Sequence, residues 1–351
     1  MAKLTKVLKD RGESRTPAVR VDIKGFILPA VVAAVVVVVM LKSAEIEEMK
    51  RLLLRADPMW LLLACAAQFG HYISQAWLFC ECFSLSGHAV RLTRMSYYIL
   101  GFTAINRLVP TGGASGSTYV VSQTAHDNVP APSGIFAVAM SYAFDYITFV
   151  SFIAGTLLYL FIHHQLQRAE AVAFVVLVVL ITGILTLLWM VMRAQHRLER
   201  ILVALARHWS RLTRRDIDAL ALSASLSERV RENWAMISSR RGMAWKTLPP
   251  AYLMHALDIA TIYFIFQGFG LSGHVGVVTI GYSMAWLLSL ASLIPSGLGV
   301  FEVSMAMIYK TYGIPFETAV LVTGAYRLLS FWLPIPVGLA AIRVVQIKEK
   351  L

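Results

Sequence analysis

The stretch that decides the fold is Pro295-Ser296-Gly297-Leu298-Gly299-Val300-Phe301-Glu302, which cuts a hydrophobic run, 275–312, near its middle. A second run, 95–125, is cut at its middle by Pro110-Thr111-Gly112-Gly113-Ala114-Ser115-Gly116. Proline lacks a backbone N–H and glycine turns through positive φ, so a regular helix does not pass either point intact. Outward from these breaks, apolar segments lie near 25–41, 58–79, 134–162, 170–192, 248–270 and 316–343. Several approach the roughly 20 residues that cross a hydrocarbon layer. The chain reads as an all-α polytopic membrane protein of about eight spans or hairpins.

Composition agrees. The 351 residues are 58% hydrophobic and 15% charged, with a mean hydropathy of +0.65, whereas soluble domains average about 45–50% apolar and about 25% charged. A water-soluble enzyme, a secreted disulfide scaffold and a free nucleic-acid binder are excluded. Cys65, Cys80 and Cys82 lie in or beside one hydrophobic segment, which fits neither a disulfide framework nor paired zinc ligands.

The net charge of +12 reports orientation, because Lys and Arg concentrate on the cytoplasmic side of a membrane protein. Residues 1–24, a basic N-terminus and no cleavable signal peptide, carry seven basic residues against three acids. Segment 193–246 carries twelve against five, and Arg343, Lys348 and Lys350 close the chain. Placing all three inside puts 24 basic residues in the cytoplasm, 6 outside, and only Arg107 and Arg327 within the membrane. The expected location is the inner or plasma membrane with both termini cytoplasmic. Membrane repeat 1 then spans 25–162, with its break at 110–116. A fifth long hydrophobic segment, 163–192, opens repeat 2, and 247–343 completes it, with a break at 295–299, before the tail 344–351. In the insertion 193–246, Leu198, Ile201, Leu202 and Leu205 recur at helical spacing among Arg193, Arg197, Arg200 and Arg207. That pattern predicts a basic amphipathic helix on the inner headgroups, with a partner-binding domain as the alternative.

Internal symmetry is the most informative feature. Leu85-Ser86-Gly87-His88 returns as Leu271-Ser272-Gly273-His274, 186 residues later. From these histidines to the break prolines is 22 residues in one copy and 21 in the other. By the charge argument the copies point opposite ways, as inverted repeats do in transporters, where broken helices at matching positions mark a binding site near the midplane. Broken backbone at that depth is tolerated only inside protein or beside a watery cavity. The helix restarting after each break directs N–H groups and a positive dipole end at the bilayer centre, a site suited to phosphate. The expectation is two Gly/Pro-broken re-entrant hairpins meeting there, with Pro110, Gly112, Gly113, Gly116, Pro295, Gly297 and Gly299 against the substrate. The alternative is that the prolines kink two ordinary helices.

Ionisable residues at membrane depth cost about 2.5–3.5 kcal/mol each on insertion scales, so each is a functional candidate. Arg107, Asp145, Glu302 and Arg327 are assigned to substrate, and an Asp145–Arg327 ion pair across the pseudo-twofold axis is a natural expectation. Either member could instead be structural, and Glu302 could serve the helix dipole. His255 and Asp258, at i and i+3, form a candidate proton relay or a satisfied pair. Gln68, His71 and Gln75 read as polar glue between helices; Trp60, Trp245, Tyr309 and Tyr312 suit interface belts. No metal cluster, nucleotide loop or catalytic motif occurs, so neither metal nor cofactor is expected.

The Pro295–Glu302 element, followed by Arg327 and by Phe331 to Gly338, resembles the membrane domain of lysylphosphatidylglycerol synthases, whose stand-alone relatives are called flippase-like proteins. The likeness covers nearly the whole chain. In bifunctional relatives this domain moves aminoacylated phospholipid between leaflets, while a separate soluble C-terminal domain transfers the amino acid from tRNA. Only 8 residues follow Arg343, so the resemblance implies translocation rather than lysyl transfer. Family members often carry a Glu-Arg pair shortly before the Asp of the first-half helix. Here those positions are Ser141 and Tyr142, with Asp145 kept.

Three function classes follow. The leading one is an integral membrane lipid translocase for a phospholipid or other lipid-linked anionic headgroup. The second is an enzyme or membrane subunit of lipid modification, by aminoacyl or glycosyl transfer. The third is a non-transporting docking partner. Expected partners are membrane lipids, a second copy of the chain or a lipid-modifying enzyme, and no nucleic acid.

Overall fold

A computed structural model of the chain describes residues 54, 56–109, 111, 113–162, 175, 179, 182–183, 241–271, 273–292 and 297–350. The expected first span 25–41, nearly all of 163–192, most of the 193–246 insertion, and Pro110, Gly112 and Pro295 lie outside the described residues. Every regular element among the described residues is helical. The first half comprises α1 (Pro58–Leu85), α2 (Leu92–Leu108), α3 (Ala114–His126) and α4 (Ala131–Ile162). The second comprises α5 (Leu248–Gly268), α6 (Val275–Ala291), α7 (Val300–Thr311) and α8 (Phe316–Arg327), then a π turn (Leu328–Trp332) and α9 (Pro334–Lys350).

Local chemistry sets the ends. Asp57 precedes Pro58 and accepts the Met59 N–H at 2.9 Å, an N-cap with proline in the first turn. The restarts after both breaks begin on glycines with positive φ, Gly113 at 94° and Gly299 at 83°. Each broken run holds two helices that pack on each other, α2 with α3 and α6 with α7. The stretches Ala131–Tyr159, Trp245–Gly268 and Phe316–Ile347 are long and apolar enough to cross a membrane.

The halves correspond element by element, and their equivalent helices α1 and α5 pack against each other. Asp57 N–H meets the Gly268 carbonyl at 2.8 Å, and His71 Nδ1 lies 3.2 Å from the Met254 carbonyl. As one residue number rises the other falls by nearly the same amount, so α1 and α5 run antiparallel, as two copies related by inversion would.

Large apolar side chains occupy both the interior, such as Phe83, Leu78 and Phe266, and the outer surface, while small residues let helices approach closely. On α1, Ala64 and Ala76 are fully buried, whereas Leu62, Phe69 and Trp77 are exposed. Helix α9 crosses α2 closely because Gly338 has no side chain: a Cβ there would sit 2.2 Å from the Leu100 carbonyl oxygen. Trp245 is exposed, as an interface residue should be. Tyr309 corrects the belt assignment. It is fully buried, donates to the Val278 carbonyl at 3.3 Å and stands edge-on to Phe266. Gly281 leaves room for its ring, since a Cβ there would lie 2.1 Å away.

Candidate functional site

The charged residues at membrane depth gather into two connected clusters. In the first, Arg327, at the end of α8, donates from Nε to Glu302 Oε1 at 2.5 Å. Glu302 sits in the first turn of α7, and its other oxygen accepts the Gly299 N–H at 2.7 Å. One carboxylate thus caps a helix and neutralises an arginine, both favourable at a positive helix end. The guanidinium carbon lies 4.8 Å from the Phe301 ring centre and 4.4 Å from that of Phe331, distances suited to cation–π attraction. Arg327 is only 8% exposed, and its Nη2 is buried without a hydrogen-bond partner among the described residues.

Arg107 reaches the same ring from the other half. Its guanidinium carbon is 5.4 Å from the Phe331 centre, so the two guanidinium carbons lie within 9.8 Å of each other, the sum of their distances to that ring. Arg107 Nη1 donates to the Phe331 carbonyl at 3.3 Å and Nη2 to Tyr72 Oη at 3.4 Å. Tyr72 in turn donates to the Ser330 carbonyl at 3.1 Å. Sequence explains why the Ser330 carbonyl is available. In an α-helix Ser330 would receive the N–H of residue 334, but Pro334 has none. The π turn around this carbonyl, closed by Leu333 N–H to Leu328 O at 2.8 Å, is a distortion frequent at functional sites.

The second cluster corrects two sequence expectations. Asp145 pairs with His255 rather than Arg327, at 3.1 Å from Oδ1 to Nε2. Arg327 is paired within its own half with Glu302, which lies nearer along the repeat. His255 and Asp258 also find partners on other helices instead of each other. Asp258 Oδ2 is 3.2 Å from His71 Nδ1 and accepts from Tyr282 at 2.9 Å; Oδ1 accepts from Tyr326 at 3.2 Å and Gln68 at 3.4 Å. Since Tyr326 precedes Arg327 in the chain, the clusters adjoin. Asp145 opens on a shallow cleft lined by Gln75, Phe79, Phe102, Ser141 and Tyr142.

The restart glycines also behave differently from expectation. The N–H groups of the first break are taken internally: Ala114 by Thr111 O (3.4 Å), Ser115 by Thr111 Oγ (2.9 Å) and Gly116 by Asn106 Oδ1 (2.8 Å). At the first break, then, these three N–H groups are not left bare. Gly297, with φ 60°, lies against Ser289, and a Cβ would come 2.6 Å from that side chain. The breaks are linked in relay: Asn106 beside Arg107 on one side, Glu302 bonded to Arg327 on the other, Phe331 between. Sequence reading missed Tyr72, Tyr282, Tyr326 and Phe331, whose roles depend on tertiary contacts; only Tyr326 carried a hint, standing beside a membrane arginine. Among the described residues no group of His, Cys, Asp or Glu is placed to hold a metal.

A family model described as the lysylphosphatidylglycerol synthase TM region matches residues 26–338. The chain is similar to a UPF0104 membrane protein of Methanothermobacter thermautotrophicus, 24% identical over 326 residues, covering 90% of this chain and 93% of the relative. It is also similar to a UPF0104 membrane protein of Pyrococcus horikoshii, 28% identical over 108 residues, 31% of this chain and 32% of that one. With the match running through both breaks, Glu302 and Arg327, this integral membrane protein belongs to the lysylphosphatidylglycerol synthase transmembrane-region family.

Proposed function

We propose that this protein translocates a lipid with an anionic headgroup between membrane leaflets. The observation that carries the reading is the meeting of Arg107 and Arg327, from opposite halves, on the single ring of Phe331. Among the described residues only Glu302 pairs with either arginine, which leaves Arg107 without an acidic partner there. A phosphodiester supplies one negative charge and oxygens for guanidinium donors, including the unpartnered Nη2 of Arg327. The acyl chains would remain in lipid, against outward-facing apolar side chains such as Leu62 and Phe69. Gly113, Gly116, Gly297 and Gly299 form the tight walls of the two breaks, and Asp145 faces the adjoining cleft. Two inverted halves rocking about this midplane cluster would expose it to each leaflet in turn, within an inner or plasma membrane and with cytoplasmic termini.

The test is movement of fluorescent phosphatidylglycerol in proteoliposomes of the purified chain. Wild type should scramble the lipid, and the Arg327→Ala/Glu302→Ala double variant should be slower by about tenfold or more. Equal rates would sink the site.

A further inference from the structure

We propose that lipid movement by this protein is coupled to proton movement through two histidine–aspartate pairs, His71–Asp258 and His255–Asp145. The inference rests on the translocase reading and adds its driving ion. All four groups lie well inside the helices that carry them, on α1, α4 and α5, at a depth where ionisable side chains are costly and recur in proton pathways. Their exposure is graded. The Asp145 side chain is 29% exposed and that of His71 14%, whereas His255 and Asp258 are each at 6%. Two accessible ends therefore flank a dry middle.

Proton positions follow from the acceptors. His71 Nδ1 faces Asp258 and the Met254 carbonyl, both at 3.2 Å. His255 Nε2 faces the Asp145 carboxylate and backbone carbonyl, at 3.1 and 3.3 Å. Each of these nitrogens faces only acceptors, so each carries a proton. The remaining nitrogen of His255, Nδ1, is buried with no partner among the described residues and lies on α5 one turn from Asp258. It is the open position in the series.

One proton then passes in order. Protonated His71 gives its Nδ1 proton to Asp258, which gives it to His255 Nδ1. His255 releases its Nε2 proton to Asp145, and Asp145 returns one proton to cleft water. Only N–H and O–H bonds form and break, and His255, left with its proton on Nδ1, is reset by tautomerisation, Nδ1 losing a proton and Nε2 gaining one. The groups facing this path are Gln68 and Tyr72 from α1, Tyr142 and Tyr146 beside Asp145 on α4, Tyr282 from α6, and Tyr326 with Arg327 from α8. Coupling to lipid runs through Tyr326. A protonated Asp258 loses acceptor capacity for Tyr282 and Tyr326, which loosens the helix that presents Arg327.

The experiment uses proteoliposomes of the full chain with fluorescent phosphatidylglycerol and a trapped pH dye. A gradient of about one pH unit, a tenfold proton ratio, should bias the lipid between leaflets by up to about tenfold. Lipid movement should in turn change the internal pH. Asp258→Asn should abolish both effects while downhill scrambling continues, and His71→Gln provides the same test if the first variant does not fold. Scrambling with no bias and no lipid-dependent pH change overturns the coupling and leaves the translocase reading standing. Coupling that survives both variants overturns the assigned path. No lipid movement by wild type overturns the translocase reading and this inference together.

Discussion

The two halves of the chain build one scaffold and place different chemistry on it. Counting 32 residues from each break proline reaches Tyr142 in the first half and Arg327 in the second. Three residues past each restart glycine stand Gly116 and Glu302. Both 32nd residues point at the break of their own half: Arg327 grips Glu302 at 2.5 Å, while Tyr142 Oη lies 3.5 Å from Ser117 Oγ. Where Glu302 fills the second half, Asn106 fills the first, and a Cβ on Gly116 would sit 2.6 Å from its amide. The lesson is a division of labour. At its break the second half carries a committed ion pair, and the first carries neutral groups plus Arg107, which has no acidic partner among the described residues.

Breaking the ion pair should produce the largest effect. Glu302→Ala strands a buried guanidinium, and an uncompensated buried charge costs about 3–5 kcal/mol. Equilibrium unfolding in detergent measures this, and Tyr142→Phe, at the position matching Arg327, should cost under about 0.5 kcal/mol because its 3.5 Å contact is marginal. Similar losses from the two variants would erase the distinction between the halves.

The helix after each break offers the next contrast. Gly338→Ala forces a methyl onto the Leu100 carbonyl and should destabilise by about 1–3 kcal/mol, the usual cost of overpacking. Gly155, on α4 of the first half, has open space around it, so Gly155→Ala should instead stabilise by about 0.5–1 kcal/mol. The sign of the change, read from thermal midpoints, decides.

Tyr72→Phe, on α1 at the junction of the two halves, should give a smaller effect. Loss of the hydroxyl that bridges Arg107 and the Ser330 carbonyl should cost about 1 kcal/mol. In a Pro334→Ala background the new N–H can satisfy Ser330, and the cost should shrink. A double-mutant cycle with no interaction between the two positions would refute the account of the π turn.

Much of the fold was legible because it rests on local rules. The breaks announced themselves through Pro110 and Pro295 with their glycines, and the long spans through uninterrupted apolar runs. The repeat offset marked α1 and α5 as counterparts; that they pack against each other emerged only from the structure. The pairing of the charges was not legible. Asp145 and Arg327 looked complementary at a distance, yet each had a nearer partner whose direction depends on helix rotation, which spacing does not specify. His255 and Asp258 share a face by the i, i+3 rule, but His71, from the antiparallel α1, comes within reach of the carboxylate first. Tyr309 was misplaced for a related reason: an aromatic near a helix end suits an interface belt equally well, and only Gly281 on a neighbouring helix makes room for it inside.

The π turn between α8 and α9 amounts to one extra residue in an otherwise continuous rod; its first-half counterpart, α4, runs 32 residues as an unbroken α-helix. Each residue of an α-helix advances about 100° around its axis and about 1.5 Å along it. Closing the same sequence as a plain α-helix, with no residue removed, would therefore turn everything downstream of 328–332 by nearly a third of a revolution. Gly338 would then no longer face Leu100. This small irregularity keys the rod like a shim under a cam, so that its final segment meets the first half at the right angle.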